Sequence, residues 1–269
     1  LNKTIGFIGS GKMAQAMIGG IIQSNLLSQE QIIVSARSKE TLFNVQKKYN
    51  VQTTQSNIEI AKQANILFLA VKPDLYPIVI EEIKDEISNT TVIVTIAAGV
   101  TLDGVEKSFG KEVKIVRSMP NTPSLVGEGM SALCHNSAVS MDELEDVIAI
   151  FNSFGKCELV EEKLMDAIPA VSGSSPAYVY LMIEALADGA VLQGIQRNKA
   201  YKLAAQAVLG AAKMVLETGL HPGELKDQVC TPGGATIEAI AELEKQGFRS
   251  SIISAMERCT EKSKSLGNA

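Results

Sequence analysis

The sequence predicts an α/β first half, built as a doubly wound parallel sheet, followed by an all-α second half. Three observations predict it. Short β-branched runs alternate with helix-sized amphipathic stretches as far as about residue 160. A glycine loop joins the first run to the first helical stretch, and strand signals stop near Glu161, beyond which Ala, Leu, Met and Gly dominate. A chain of 269 residues suits two packed units, since domains usually run ~100–150 residues.

Taken in order, Thr4–Ile8, Gln31–Ser35, Ile66–Val71, Thr91–Ile96 and Lys114–Ser118 read as strands, with helical patterns between them. The unbroken apolar character of residues 66–71 suits a strand covered on both faces, as helix-sized crossovers in a parallel sheet require. Met130–Cys134 and Cys157–Val160, on either side of a helical Met141–Phe154, extend the sheet. Helices are then predicted at Pro176–Gln193, Asn198–Thr218, Pro222–Val229, Ala235–Gln246 and Phe248–Leu266. The predicted domains are 1–161 and 162–269. Residues 178–192 and 203–216 are apolar around most of their circumference, more than a small helical domain can bury, so a partner chain is expected to cover them.

Composition narrows the function classes. With 46% hydrophobic and 20% charged residues the chain is of ordinary globular type. A net charge of -5 with interspersed signs gives no broad basic face, which argues against nucleic acid as a partner. No apolar run approaches the ~18 residues that span a bilayer, so a cytoplasmic, non-membrane protein is expected. Four widely spaced cysteines and two histidines predict neither a disulfide framework nor a metal site. Cys134 and Cys157, in apolar stretches, read as small hydrophobes.

Gly9-Ser10-Gly11-Lys12-Met13-Ala14 follows the first strand and opens the first helix, the context in which a G-x-G-x-x-A loop binds a dinucleotide. The first glycine permits the turn, the second lets backbone approach a pyrophosphate, and helix N–H groups face the anion. Ile8 to Met13 are therefore candidate cofactor contacts in a Rossmann-like domain. The second strand ends on Ser35-Ala36-Arg37-Ser38-Lys39, without the acidic residue that bonds the ribose of NAD. Arg37, Ser38 and Lys39 instead suit a 2′-phosphate, which predicts NADPH, with NADH at lower preference. Ala70-Val71-Lys72-Pro73 closes the third predicted strand and Ala98-Gly99 follows the fourth, both at the carboxyl edge where such sheets bind ligands.

Thr231-Pro232-Gly233-Gly234-Ala235-Thr236 is a glycine turn feeding a helix, able to hold a small anion such as a substrate carboxylate. Thr236 adds a hydroxyl, and nothing nearby supplies a histidine or carboxylate with obvious acid–base reach. At Ser172–Ala177, serine before proline reads as a helix cap. Met119–Pro123 fixes the chain leaving the fifth predicted strand.

Together the Gly9 loop, the 70–73 segment, Arg117–Pro123, Ser172–Tyr178 and Asp227–Thr236 resemble pyrroline-5-carboxylate reductase along almost the whole chain. The resemblance implies an oxidoreductase in which NADPH reduces the C=N bond of 1-pyrroline-5-carboxylate to L-proline, the last step of proline biosynthesis. It further implies that Thr236 is catalytic and bonds the ring nitrogen, that Gly234 and Ala235 amides hold the carboxylate beside Thr231, that Glu162 edges the substrate site, and that Asn57 and Ala98 touch the cofactor. A homodimer through the helical domain, or a larger ring, is implied as well. Two positions depart from the family: Ser175 stands where glycine is common, and Ala36 replaces a polar residue. Two alternatives stay open at this point, a β-hydroxyacid dehydrogenase and a non-catalytic NADP sensor. The first expects a lysine on the first long helix after the domain boundary, and residues 176–193 contain none.

Overall fold

A computed structural model describes residues 1–267; the last two positions of the predicted 162–269 domain lie outside them. Backbone packing divides the chain into two compact units, Leu1–Ser174 joined by the residues from Cys259 on, and Ser175–Arg258.

The first unit is an eight-stranded sheet in the order β3-β2-β1-β4-β5-β6-β7-β8. The strands are β1 (Ile5–Ile8), β2 (Ile32–Ser35), β3 (Gln52–Thr54), β4 (Ile66–Leu69), β5 (Val92–Thr95), β6 (Lys114–Met119), β7 (Gly129–His135) and β8 (Gly155–Leu159). The first six run parallel; β7 pairs antiparallel to β6 and parallel to β8. Strand order reverses beside β1, so the Gly9 loop leaves the sheet at the switch point where doubly wound folds bind ligands. β3 is absent from the sequence-based expectation: three polar edge residues carry no apolar alternation.

Two apolar layers sandwich the sheet. On one face Phe7, Val34 and Phe68 pack against α1 (Lys12–Gln23), α2 (Lys39–Tyr49) and α6 (Met141–Asn152), with Phe7 and Phe68 stacked at 4.7 Å between ring centres. On the other, Ile8, Leu67 and Leu69 meet α3 (Asn57–Gln63), α4 (Tyr76–Ile83) and α5 (Leu102–Phe109). Full burial of β1, β2, β4 and β5 explains their continuous apolar sequence. Tyr76 is buried at the carboxyl edge, where its hydroxyl donates to the Leu69 carbonyl (2.7 Å) and accepts from the Ile96 N–H (3.3 Å). Burial pushes its pKa up, so it stays a neutral bridge between the ends of β4 and β5.

A π-helical turn at Pro169–Gly173 leads into the helices. Here the expected cap is corrected: Ser175 is the first residue of its helix rather than the residue before it, because the wide turn already carries the chain into helical geometry. The helices are α7 (Ser175–Leu192), α8 (Arg197–Thr218), α9 (Pro222–Val229), α10 (Ala235–Lys245) and α11 (Phe248–Gly267), whose last turns belong to the first unit. α7 and α8 pack on each other but bury only Ala187, Ala200 and Ala204. Leu181, Leu192 and Leu216 are 68%, 86% and 83% exposed in the single chain.

Candidate active site

The Gly9 loop is held by the strand ends around it. Gly9 has φ +97° and its N–H donates to the Ser35 carbonyl (3.1 Å), while the Ala70 N–H donates to the Ile8 carbonyl (2.8 Å). A Cβ on Gly9 would lie 2.6 Å from the Ala70 carbonyl oxygen, so only glycine fits. A Cβ on Gly11 would meet nothing within 4 Å. Gly11 precedes α1 in extended conformation, no side chain caps the helix, and its first turn carries Lys12 instead of an acid. Ser10 is buried with its hydroxyl unpartnered, an orphaned donor beside a free helix N-terminus. These features fit a bound pyrophosphate. Met13 packs against the core beneath the loop.

Ser35 joins this loop to the next candidate group. Its hydroxyl donates to Asn57 Oδ1 (2.6 Å), and Asn57 Nδ2 donates to Glu82 (2.8 Å). Ser38 caps α2 by accepting the Thr41 N–H (3.4 Å), which leaves Arg37 and Lys39 exposed at the helix start, where no ion pair engages either among the described residues. A dianionic phosphate there would neutralise both and favour the helix dipole. Lys72 is exposed just before the short helix that begins at Pro73, next to Ala70 and Val71. Ala98 and Gly99, half-buried, leave β5 at the same edge. The structure thus brings the predicted cofactor residues of the first unit to one edge, through Ser35 and Tyr76, which sequence reasoning did not single out.

Glu162 lies in the first unit. Its Oε1 accepts the Leu102 N–H (2.7 Å) and faces Arg117 Nη1 (3.3 Å), while Arg117 Nη2 pairs with Asp166 (2.7 Å). Arg117 is buried in β6, opposite Cys134 in β7. Burial, with Glu162 nearby, pushes the Cys134 thiol up to about 11 against the pull of Arg117. That thiol is neutral and inert.

In the helical unit, Gly233 has φ +67° and Gly234 caps α10 with no side-chain bond. A Cβ on Gly234 would fall 2.4 Å from Thr231 Oγ1. The Gly234 N–H is taken by the Thr231 carbonyl (3.0 Å), so the open donors of the helix start are those of Ala235 and Thr236. Among the described residues no group of three or more His, Cys, Asp or Glu side chains is placed to hold a metal ion.

The pyrroline-5-carboxylate reductase of Escherichia coli (strain K12) is 47% identical to this chain over 269 residues, the whole of both. The chain belongs to the pyrroline-5-carboxylate reductase family. Residues 162–266 match the family model described as pyrroline-5-carboxylate reductase dimerisation, and residues 4–99 one described as NADP oxidoreductase, coenzyme F420-dependent. Among solved structures, the Coxiella burnetii pyrroline-5-carboxylate reductase superposes with a TM-score of 0.93 at 38% identity, covering 99% of each chain. The Plasmodium falciparum enzyme, solved with NADP bound, gives 0.89 at 37% identity over 99% of this chain and 98% of its own. The expected resemblance, the two-part α/β and all-α fold, the oxidoreductase class and the NADP cofactor are all borne out.

Proposed function

We propose the following roles for this chain's residues in its family's reaction. The chain reduces the C=N bond of 1-pyrroline-5-carboxylate to give L-proline, with NADPH as reductant. What carries the reading is identity over the full length with the family, and the two glycine-opened helix starts support it. Bound NADPH supplies the hydride that goes to the imine carbon. Ser10, Gly11 and the start of α1 hold its pyrophosphate, Arg37, Ser38 and Lys39 its 2′-phosphate, and Asn57, Lys72, Ala98 and Gly99 complete the contacts.

In the helical unit the substrate carboxylate falls to the Ala235 and Thr236 N–H groups rather than to the expected Gly234 and Ala235 pair, because the Gly234 N–H is bonded to the Thr231 carbonyl; Gly234 and Thr231 shape the turn. The Thr236 hydroxyl bonds the ring nitrogen, which takes up one proton from water or from that hydroxyl as the carbon takes the hydride. The nitrogen needs no lysine or histidine, and alignment of the reactants, worth up to ~7–11 kcal/mol, supplies much of the acceleration.

Residues 1–161 serve as the nucleotide domain and 162–269 as the substrate and dimerisation domain, although residues 162–174 and the end of α11 pack with the sheet unit. The exposed apolar faces of α7 and α8 support a homodimer. A cytoplasmic location is supported by four free thiols and by the lack of any described helix long and apolar enough to cross a membrane. The deciding assay follows NADPH oxidation with racemic pyrroline-5-carboxylate beside NADH and imine-free controls. NADPH loss with equimolar proline supports the assignment; nucleotide binding without turnover overturns it.

A further inference from the structure

Leu102 opens α5, and its N–H is one of the groups a helix start cannot bond internally. Thr101, the residue before it, spends its hydroxyl on the Gly104 N–H (3.0 Å). The Leu102 N–H is met instead by Glu162, sixty positions along the chain. Glu162 is in turn fixed by Arg117, whose other arm holds Asp166. A buried cation therefore sets a carboxylate, and that carboxylate sets the far end of the segment between β5 and α5. Tyr76 pins the near end through the Ile96 N–H. Between these anchors lie Ala98 and Gly99.

A buried ion pair is weak evidence for stability, because desolvation offsets its attraction; holding a geometry is the better-attested use. Among the described residues, Arg117 forms ion pairs with the Glu162 and Asp166 carboxylates.

We propose that Arg117 and Glu162 are positioning residues for NADPH, holding residues 97–101 in the shape that receives the nicotinamide end. This rests on placing the cofactor against Ala98 and Gly99, as above. Neither side chain needs to touch the nucleotide.

The test uses the full chain and two readouts, NADPH affinity by fluorescence titration and hydrogen exchange at the Leu102 amide. Glu162→Gln retains an acceptor oxygen that Arg117 orients, so it keeps Leu102 protected and the Kd near that of the parent. Glu162→Ala exposes the amide and weakens NADPH by about tenfold, equivalent to ~1.4 kcal/mol. Arg117→Lys, which loses the fork but keeps the charge, falls between them. A folded Glu162→Ala protein with parental Kd overturns the proposal. So does an unprotected Leu102 amide in the parent, a result independent of how any variant folds. Ala98→Leu separates the two readings: if it leaves NADPH affinity intact while Glu162→Ala still unprotects Leu102, the anchor stands and the placement of the cofactor fails.

Discussion

Alanine at Gly9 and at Gly11 is expected to fail in opposite ways, although a single residue separates the sites. At position 9 the new Cβ would sit 2.6 Å from the Ala70 carbonyl oxygen and 2.9 Å from its carbon. Carbon contacts relax only at ~3.5–4.0 Å, so backbone must give by roughly 1 Å. That backbone is tied on both sides, by Gly9 N–H to Ser35 and Ala70 N–H to Ile8. The left-handed φ of +97° adds its own strain. Overpacking at ~1–3 kcal/mol and the φ penalty at ~1–2 kcal/mol put the loss of stability at about 2–5 kcal/mol. Gly11, by contrast, has φ −66° and open space before it. There alanine forfeits only a helix-start preference, below ~1 kcal/mol, yet it fills the approach to the pyrophosphate and weakens NADPH about tenfold or more. Urea unfolding and NADPH titration of both variants separate the cases. Parental nucleotide affinity in Gly11→Ala would refute the placement of the phosphate, and parental stability in Gly9→Ala would refute the close approach to Ala70.

Replacing Arg37 and Lys39 by neutral residues should raise the KM for NADPH by roughly ten- to a hundredfold, the worth of one charge-assisted bond, while moving that for NADH little; equal effects would sink the 2′-phosphate site. Thr236→Val should lower kcat by about a hundredfold, the scale of one lost transition-state donor, with NADPH Kd unchanged; undiminished turnover removes the hydroxyl from the chemistry. Glu143 is partly buried, which alone would raise its pKa, but the bond from Lys114 (2.5 Å) and two from Ser140 outweigh this and hold it below the usual carboxylate range. Its stabilisation is therefore complete above the unfolded value near ~4.3 and is lost as pH falls through the lower folded value. Glu143→Gln should flatten the acid limb of the unfolding midpoint against pH, and an unchanged limb would assign the loss to other carboxylates. Tyr76→Phe leaves the Leu69 carbonyl and the Ile96 N–H without their bridge and should cost about 1–3 kcal/mol in denaturant titration; no loss would mean that neither group depended on the hydroxyl.

The strands that sequence reveals are those buried on both faces, where an unbroken run such as Ile66–Leu69 has no other explanation. β3 escaped because its three residues are polar and lie at the sheet edge, and the reversal of β7 escaped because direction is a matter of pairing rather than of composition. Helix starts were legible where a glycine turn or a capping serine marks them, as at Ala235 and Met141, and illegible at Ser175, where a π-turn takes the place of a cap. In the candidate site, the Gly9 loop and the exposed Arg37 and Lys39 could be singled out because each lies within one local stretch of sequence. Arg117, Glu162 and Asp166 were not read as a cluster, since the 49 positions between Arg117 and Asp166 leave no local pattern for a network made by folding.

The helical unit is inserted within the chain of the sheet unit: Ser175–Arg258 leaves the first unit after Ser174, and the end of α11 rejoins it from Cys259, where the Cys259 thiol meets the Ser174 hydroxyl and Ser263 is buried. On the ribosome, then, the segment from Cys259 that packs with the sheet unit emerges only after α7 to α10 and the first half of α11 have been made. Severing the two units by proteolysis would likewise take two cuts, and a fragment ending at Ser174 would lack the closing segment of its own fold.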